Sequence, residues 1–182
     1  MGECMIHRRP SWDEYFMMLA KLAASRSTCL SRPTGAVVVK DKQVVATGYN
    51  GSLPGQPHCC DEGRCFRRSL QWPEAEKYDM CRSAHAEANA IALAAKKGVS
   101  LEGGTIYCTL EPCITCSKLI VMSGIKRVVY EHSYDSPIAE RDKFWKQVLA
   151  SSNTHVEQLI IQENTVVYAV DFLKRDTSRR RL

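Results

Sequence analysis

Residues 84–130 alternate helix-forming and strand-forming segments, and they read AHAEANAIALAAKKGVSLEGGTIYCTLEPCITCSKLIVMSGIKRVVY. The segment 84–97 is rich in Ala and Leu, and it predicts a helix that ends at Gly98. The rest of the region predicts a buried strand at 105–109, a short helix at 113–123 and a second strand at 126–130. This alternation is typical of an α/β domain.

The segments on either side extend the pattern. Residues 11–26 carry apolar residues at helical spacing after a capping box formed by Ser11 and Glu14. Residues 35–48 predict a β-hairpin. Beyond residue 130 the pattern predicts a helix at 140–150 and two final strands, at 156–162 and 165–172.

The resulting order, α-β-β-α-β-α-β-α-β-β, predicts a three-layer α/β/α domain with a mixed sheet of about five strands. We expect one domain over residues 1–172. Residues 173–182 are polar and basic, and they predict a flexible tail. Residues 49–82 show little periodicity, so we expect this long loop to need a stabilising cross-link such as a bound metal ion.

Composition excludes several classes of protein. Hydrophobic residues make up 45% of the 182 residues, which indicates a folded chain with a core. The net charge of +5 suits phosphate-bearing ligands without requiring nucleic acid. The chain has no apolar run of about eighteen residues, and its first ten residues lack a signal-peptide pattern. We therefore expect a cytoplasmic protein without a membrane span.

Cysteine is unusually frequent for a protein without a secretion signal. The nine cysteines are Cys4, Cys29, Cys59, Cys60, Cys65, Cys81, Cys108, Cys113 and Cys116. In a reducing compartment such a set indicates metal binding or catalysis before disulfides. Cys108 is better explained as a small buried apolar residue, and Cys4 has no assigned role.

The sharpest functional pattern joins HAE at 85–87 to PCITC at 112–116. Cys113 and Cys116 can direct two sulfurs at one ion from a helix start, and His85 can supply a third ligand from a neighbouring helix. Three protein ligands leave one zinc position for water, which is the arrangement of a catalytic site. Glu87 is placed to move protons between water and a substrate nitrogen. The alternatives are a purely structural zinc site and an accidental match, but both would leave Glu87 without a role, and the fourth ligand of a structural site is missing.

Six stretches carry a wider family pattern: RPSWDEYFM at 9–17, RSTCLSRPTGAVVVKD at 26–41, GYNGSLPGQPHC at 48–59, CRSAHAEANAI at 81–91, YCTLEPCITCSKLI at 107–120 and GIKRVVY at 124–130. In these stretches the chain resembles deoxycytidylate (dCMP) deaminases, including the late-competence-type bacterial members. The resemblance covers about two-thirds of the chain, and residues after about Pro137 depart from it.

The resemblance implies a cytidine deaminase-like fold and a catalytic zinc held by His85, Cys113 and Cys116. Glu87 becomes the general acid/base, which delivers a proton to ring N3 and helps ammonia leave C4. The product is dUMP, for thymidylate synthesis.

The resemblance also suggests Asn50 of the GYNG turn and Ala86 as substrate-binding residues. Arg32 is the candidate for the phosphate, because a guanidinium group can bind phosphate with two hydrogen bonds. Asn50-Gly51 could instead be only a turn pair, and Arg32 a solvated surface charge.

Some members of the family hold a second, structural zinc. The offsets of Cys29 and Cys59 match that pattern, and Cys65 and Cys81 complete a four-ligand set. Cys60 or His58 could replace Cys59 or Cys65.

The resemblance also implies a homo-oligomer, often a hexamer, with dCTP and dTTP as possible effectors. Two alternatives stay open: a related deaminase acting on another cytosine nucleotide, a modified pyrimidine or a polynucleotide, and a non-enzymatic zinc-binding module. The basic tail is the only feature that favours nucleic acid, and terminal charge runs are usually just solvated.

Overall fold

The computed structural model describes residues 9–73, 80–134 and 139–175. Its elements in chain order are α1 (Trp12–Ala24), β1 (Gly35–Lys40), β2 (Gln43–Tyr49), β3 (Gly51–Ser52), α2 (Cys59–Glu62), α3 (Phe66–Ser69), β4 (Ser83–Ala84), α4 (Ala86–Lys96), β5 (Thr105–Leu110), α5 (Ile114–Met122), β6 (Arg127–His132), α6 (Ala139–Ser151), β7 (His155–Gln158) and α7 (Glu163–Lys174).

The main sheet of the described chain has five strands in the order β2-β1-β5-β6-β7. The hairpin strands β1 and β2 pair antiparallel, and β1 also pairs antiparallel with β5. The strands β5, β6 and β7 run parallel, because α5 and α6 provide the crossover connections that parallel pairing needs. The prediction of a mixed sheet of about five strands is confirmed.

Helices cover both faces of this sheet. Along β1, Val37 and Val39 point to the face that packs against α1, whereas Ala36 and Val38 point to the face covered by α4. The core on the α1 side contains Phe16, Met17, Ala20, Tyr107, Val129 and Ile161. The core on the α4 side contains Ala90, Ala94, Ile106, Cys108, Ile120 and Val128. The three-layer arrangement is therefore confirmed, and Cys108 is buried in the core as expected.

The start of α1 has the predicted capping box. The Glu14 N–H donates to the Ser11 hydroxyl at 3.2 Å, and the Ser11 N–H donates to the Glu14 carboxylate at 2.7 Å. Two backbone N–H groups that lack helical partners are thereby satisfied.

Glycine allows β2 to pass very close to α4. A Cβ atom on Gly48 would lie 2.1 Å from the Ala86 carbonyl oxygen and 2.6 Å from the Ala90 nitrogen. Only a residue without a side chain permits this contact. It presses the first turn of α4 against the sheet, beside the residues of the HAE motif.

The prediction of a final strand at 165–172 is wrong, because these residues belong to α7. Their β-branched and aromatic composition favours a strand. In the structure, however, the buried or half-buried positions are 165, 166, 168 and 169, which recur with the period of a helix. The Thr165 hydroxyl also donates to the Glu14 carboxylate at 3.0 Å, which ties α7 to α1.

The helix α7 continues through Lys174, two residues beyond the expected domain end. Residues 176–182 of the expected tail, and Cys4, lie outside the described residues. No helix among the described residues has the length and apolar character needed to cross a membrane.

Candidate catalytic site

Two helix starts face each other at the centre of the site. His85 is the N-cap residue of α4, and Glu87 follows in the first turn. Cys113 is the N-cap residue of α5, and Cys116 follows in its first turn. The α4 start is held by the short β3–β4 pair, in which Gly51 pairs with Ala84. The GYNG turn therefore fixes the chain immediately before His85.

The three predicted ligands converge on one point. The His85 Nδ1 atom lies 3.4 Å from the Cys113 sulfur and 3.5 Å from the Cys116 sulfur. All three atoms lie within 4.8 Å of one another, and no other group of three such residues is found in the described part of the chain. Zinc bond lengths of about 2.3 Å to sulfur and 2.05 Å to nitrogen place tetrahedral N and S ligands about 3.6 Å apart. The site therefore has the dimensions of a zinc site with one open position.

The three candidate ligands shift one another's pKa values. Hydrogen bonds from Cys116 and His85 lower the pKa of the Cys113 thiol. The pKa of Cys116 is raised by that same hydrogen bond and by burial, and the pKa of His85 is raised by its hydrogen bond to Cys113. The Cys113 thiol thus ionises readily, whereas the Cys116 thiol loses its proton when a metal ion binds in place of that proton.

Glu87 is almost completely buried, with 7% of its surface exposed. Burial raises the pKa of its carboxyl group, and the negative charge of Cys113 adds to this effect, whereas His85 opposes it. A carboxyl group with a raised pKa can hold a proton near neutral pH and release it again. This is the property that a proton-transfer residue needs.

A cleft of about 250 Å³ opens over His85, Glu87 and Cys113. Asn50 lies in its wall and is buried. The Asn50 Oδ1 atom accepts hydrogen bonds from the Ser27 hydroxyl at 2.5 Å and from the Thr34 N–H at 2.9 Å. Its Nδ2 atom donates to the Arg32 carbonyl oxygen at 2.9 Å. Asn50 thus ties the 27–34 segment to the GYNG turn, and its amide has a second N–H that can face the cleft.

The other two expected substrate residues differ in position. Arg32 is exposed and its residue lines the cleft. The Ala86 methyl group is buried in the core, so only its backbone can contact a ligand. The backbone N–H groups in the first turn of α4 have no partner within the helix.

The four cysteines expected at a second zinc all line the same cleft, but the structure does not gather three of their sulfurs within 4.8 Å. Burial raises the pKa of Cys81, and the charges of Cys29 and Cys65 raise it further. Cys29 and Cys65 thus each lie close enough to Cys81 to affect its pKa. Of the two alternative ligands, Cys60 is exposed, whereas the His58 Nδ1 atom is buried without a hydrogen-bond partner.

Sequence reasoning missed several cleft residues. Arg67 and Arg68 of α3 line the cleft, together with Glu111 and Tyr134. Glu111 is buried, accepts the Tyr134 N–H at 3.2 Å and forms an ion pair with Lys146 at 2.9 Å. The Arg-Arg pair at 67–68, which follows Cys65 and Phe66, is the signal that could have indicated a cationic wall.

A larger cavity of about 890 Å³ adjoins the cleft between α5, α6 and the strands β6 and β7. It shares Glu111, Cys113 and Tyr134 with the cleft. Its other walls are mainly apolar, including Ile120 and Val128.

Comparison with known proteins identifies the motif-bearing part of the chain. Residues 10–132 match the model of the "cytidine and deoxycytidylate deaminase zinc-binding region". The chain is 40% identical over 158 residues to the deoxycytidylate deaminase of Schizosaccharomyces pombe, which covers 87% of this chain and 47% of that protein. It is 39% identical over 154 residues to ComE operon protein 2 of Bacillus subtilis, which covers 84% of this chain and 76% of that protein.

The fold is also similar to solved structures. The dCMP deaminase of cyanophage S-TIM5, crystallised with dCMP and dUMP, superposes with a TM-score of 0.64 at 30% identity. The match covers 84% of this chain and 100% of that chain. This chain thus spans the whole phage protein but only about half of the fission yeast relative.

Proposed function

Because the chain belongs to the cytidine and deoxycytidylate deaminase zinc-binding family, we propose that it is a zinc-dependent hydrolase that converts dCMP and water to dUMP and ammonia. The observation that carries this proposal is the triangle of His85, Cys113 and Cys116 beside the buried Glu87. Relatives named deoxycytidylate deaminase support the choice of dCMP.

His85, Cys113 and Cys116 would hold the metal ion. Zinc bound there would act as a Lewis acid that makes a nucleophile from water at neutral pH. The two helix starts support this role, because their positive ends stabilise the cysteine thiolates.

Glu87 transfers the protons of the reaction. Its carboxylate removes a proton from the attacking water and delivers it to N3 of the cytosine ring, so that C4 can accept the oxygen. The carboxylate next removes the remaining proton from the new hydroxyl group at C4 and delivers it to the amino group. The C4–N bond then breaks, ammonia leaves, and the C4 carbonyl of dUMP forms. Its burial keeps bulk water away from these transfers, so the proton returns to the substrate rather than to solvent.

The substrate lies in the cleft beside these residues. The second Asn50 N–H donates to a sugar hydroxyl, and the Ala86 N–H donates to the base from the first turn of α4. Arg32 attracts the phosphate from the exposed rim. The hydrogen bonds of Asn50 to Ser27 and Thr34 keep its amide in position.

Ammonia release by the zinc-loaded protein tests the proposal. The panel is dCMP, CMP, dCTP, deoxycytidine and single-stranded DNA, so that the related substrates compete directly. Turnover of dCMP is expected, and Glu87→Gln should retain zinc and lose activity, because the amide cannot transfer the protons. Zinc retention without turnover of any substrate would contradict the proposal, as would full activity of Glu87→Gln.

The second zinc remains part of the proposal. We infer that Cys29, Cys59, Cys65 and Cys81 close around a structural ion on binding it, with His58 or Cys60 as alternative ligands. Two observations support this inference: all four cysteines line the same cleft, and the His58 Nδ1 atom is buried without a hydrogen-bond partner. Metal analysis should give two zinc ions per chain, and Cys81→Ser should lower this to one. A single zinc in the wild-type protein would refute it.

The proposal extends to assembly, regulation and location. We infer a homo-oligomer, in the form of a hexamer. Leu119 and Met122 on α5, which are 40% and 84% exposed, offer apolar surface for a contact between subunits. Regulation by dCTP and dTTP is tested by adding each to the dCMP assay, and light scattering gives the oligomer size. A cytoplasmic location fits the eight described cysteines, which are all free thiols.

A further inference from the structure

The mouth of the catalytic cleft has an excess of positive charge. Among the residues that the structure describes, four arginines line the cleft, namely Arg32, Arg67, Arg68 and Arg82, and two carboxylates line it, those of Glu87 and Glu111. Glu111 is already neutralised by Lys146 at 2.9 Å. The unbalanced charge therefore favours an anionic ligand.

The arginines of this wall are not equally available. Arg82 binds the Glu62 carboxylate through both terminal nitrogens, at 2.6 Å and 3.4 Å. Arg67 donates to the Ser31 hydroxyl at 3.4 Å, and this bond reaches from α3 to the 27–34 segment. Within the described chain, no hydrogen bond or ion pair engages the Arg68 guanidinium, although the residue lines the cleft.

Arg68 lies on a short helix that depends on contacts with other segments for its stability. The helix α3 has four residues, and so short a helix is unstable in isolation. Arg82 stabilises it from outside, because its guanidinium lies 4.3 Å from the centre of the Phe66 ring while binding Glu62 of α2. Arg82 thereby joins α2 to α3. The Arg68 backbone is fixed before any ligand arrives, which reduces the entropy lost on binding.

We propose that Arg68 is a specificity-determining residue that binds the 5′-phosphate of the nucleotide and so separates nucleotides from uncharged nucleosides. This inference rests on the proposed function, because it takes the cytosine ring to lie at His85 and Glu87. The guanidinium offers two parallel N–H donors to phosphate oxygens. Arg67 closes the same end of the cleft through Ser31.

The test compares Arg68→Ala with Arg64→Ala. Arg64 lies on the same segment and carries the same charge, but it is 65% exposed, lies 3.9 Å from Glu62 and does not line the cleft. For Arg68→Ala, kcat/KM for dCMP should fall about tenfold to a hundredfold, the range for one charge-assisted hydrogen-bond pair. The loss should appear mainly in KM. Turnover of deoxycytidine should not change, and Arg64→Ala should match the wild type on both substrates.

Arg68→Lys should recover only part of the dCMP activity, because lysine keeps the charge but not the paired donors. Zinc content and thermal melting of each variant show whether it is folded. Equal loss on dCMP and deoxycytidine, or equal effects of Arg64→Ala and Arg68→Ala, would overturn the inference.

Failure of the proposed function would look different. The wild-type protein would then release no ammonia from any cytosine substrate. In that case calorimetric binding of dCMP and deoxycytidine to the zinc-loaded protein still decides the role of Arg68. Binding of dCMP that Arg68→Ala weakens, without the same effect on deoxycytidine, supports the inference, and any other binding result refutes it.

Discussion

Replacement of Gly48 by alanine should damage the active site from a residue that touches neither metal nor substrate. The new Cβ would lie 2.1 Å from the Ala86 carbonyl oxygen and 2.6 Å from the Ala90 nitrogen. Carbon–oxygen contacts in proteins rarely fall below about 3.2 Å, so β2 and the first turn of α4 must separate by about 1 Å. His85 and Glu87 belong to that turn and would move with it.

Two magnitudes follow for Gly48→Ala. Forcing an extra methyl group into a packed interior typically costs about 1–3 kcal/mol of folding free energy, or about 2–12 °C in melting temperature for a chain of this size. A misplacement of about 1 Å at catalytic groups can reduce the rate about a hundredfold. The activity loss should therefore exceed what the fraction of unfolded protein explains.

Gly35→Ala provides the matched control. Its Cβ would lie 2.1 Å from the Ala20 carbonyl oxygen, an equally severe contact, but with α1 on the opposite face of the sheet. Since α1 carries no expected metal ligand, Gly35→Ala should lower the melting temperature to a similar extent while zinc affinity stays near that of the wild type. Thermal melting, zinc titration and dCMP turnover are measured for both variants. Wild-type zinc affinity and turnover in Gly48→Ala would refute the reasoning, and so would equal zinc loss in both.

Three further predictions concern stability and substrate binding. Ser11→Ala removes the α1 cap and should cost about 1 kcal/mol, seen as a melting temperature lower by about 2–4 °C; an unchanged melting temperature would contradict it. Asn50→Ala removes three hydrogen bonds of the amide and so releases the 27–34 segment. It should raise KM for dCMP about tenfold or more. An unchanged KM in steady-state assays would show that the segment keeps its position without Asn50. Hydrogen bonding to Arg127 lowers the pKa of Asp13 in the folded protein below its unfolded value of about 3.9. The stability that this pair contributes is therefore fully present above about pH 3.9. It is lost as the pH falls through the lower pKa of the folded state. Melting temperatures between about pH 5 and pH 2 should therefore fall less steeply for Asp13→Asn than for the wild type, and parallel curves would refute the role of Asp13.

Most of the sheet could be predicted from local pattern. Strands β1, β2, β5 and β6 are short apolar runs between turn residues, and their side chains must be buried on at least one face. The last helix could not be predicted in this way. Residues 165–172 have a strand-like composition, but contacts such as that between Thr165 and Glu14, 151 positions apart, favour a helix.

The candidate metal ligands could be predicted from the sequence for a chemical reason. An ion needs His and Cys side chains at defined separations, and a helix start converts the spacing of Cys113 and Cys116 into a fixed distance. Ligand type and spacing are local properties, so HAE and PCITC could be recognised without a fold. The same holds for the capping box at Ser11, which joins residues three positions apart.

Local sequence patterns did not determine which side chains line the cleft, because this depends on packing between distant segments. The sequence does not show that Arg68 faces the catalytic cleft whereas Arg64, four residues earlier, does not. It also does not show that the Asn50 amide holds the 27–34 segment, or that Cys29 lines the same cleft as Cys59, Cys65 and Cys81 of the loop. These facts depend on how distant segments meet, and many distant pairings are compatible with the same local preferences. The candidate metal ligands could therefore be predicted from residue type and spacing alone, whereas the shape and charge of the cleft required the folded chain.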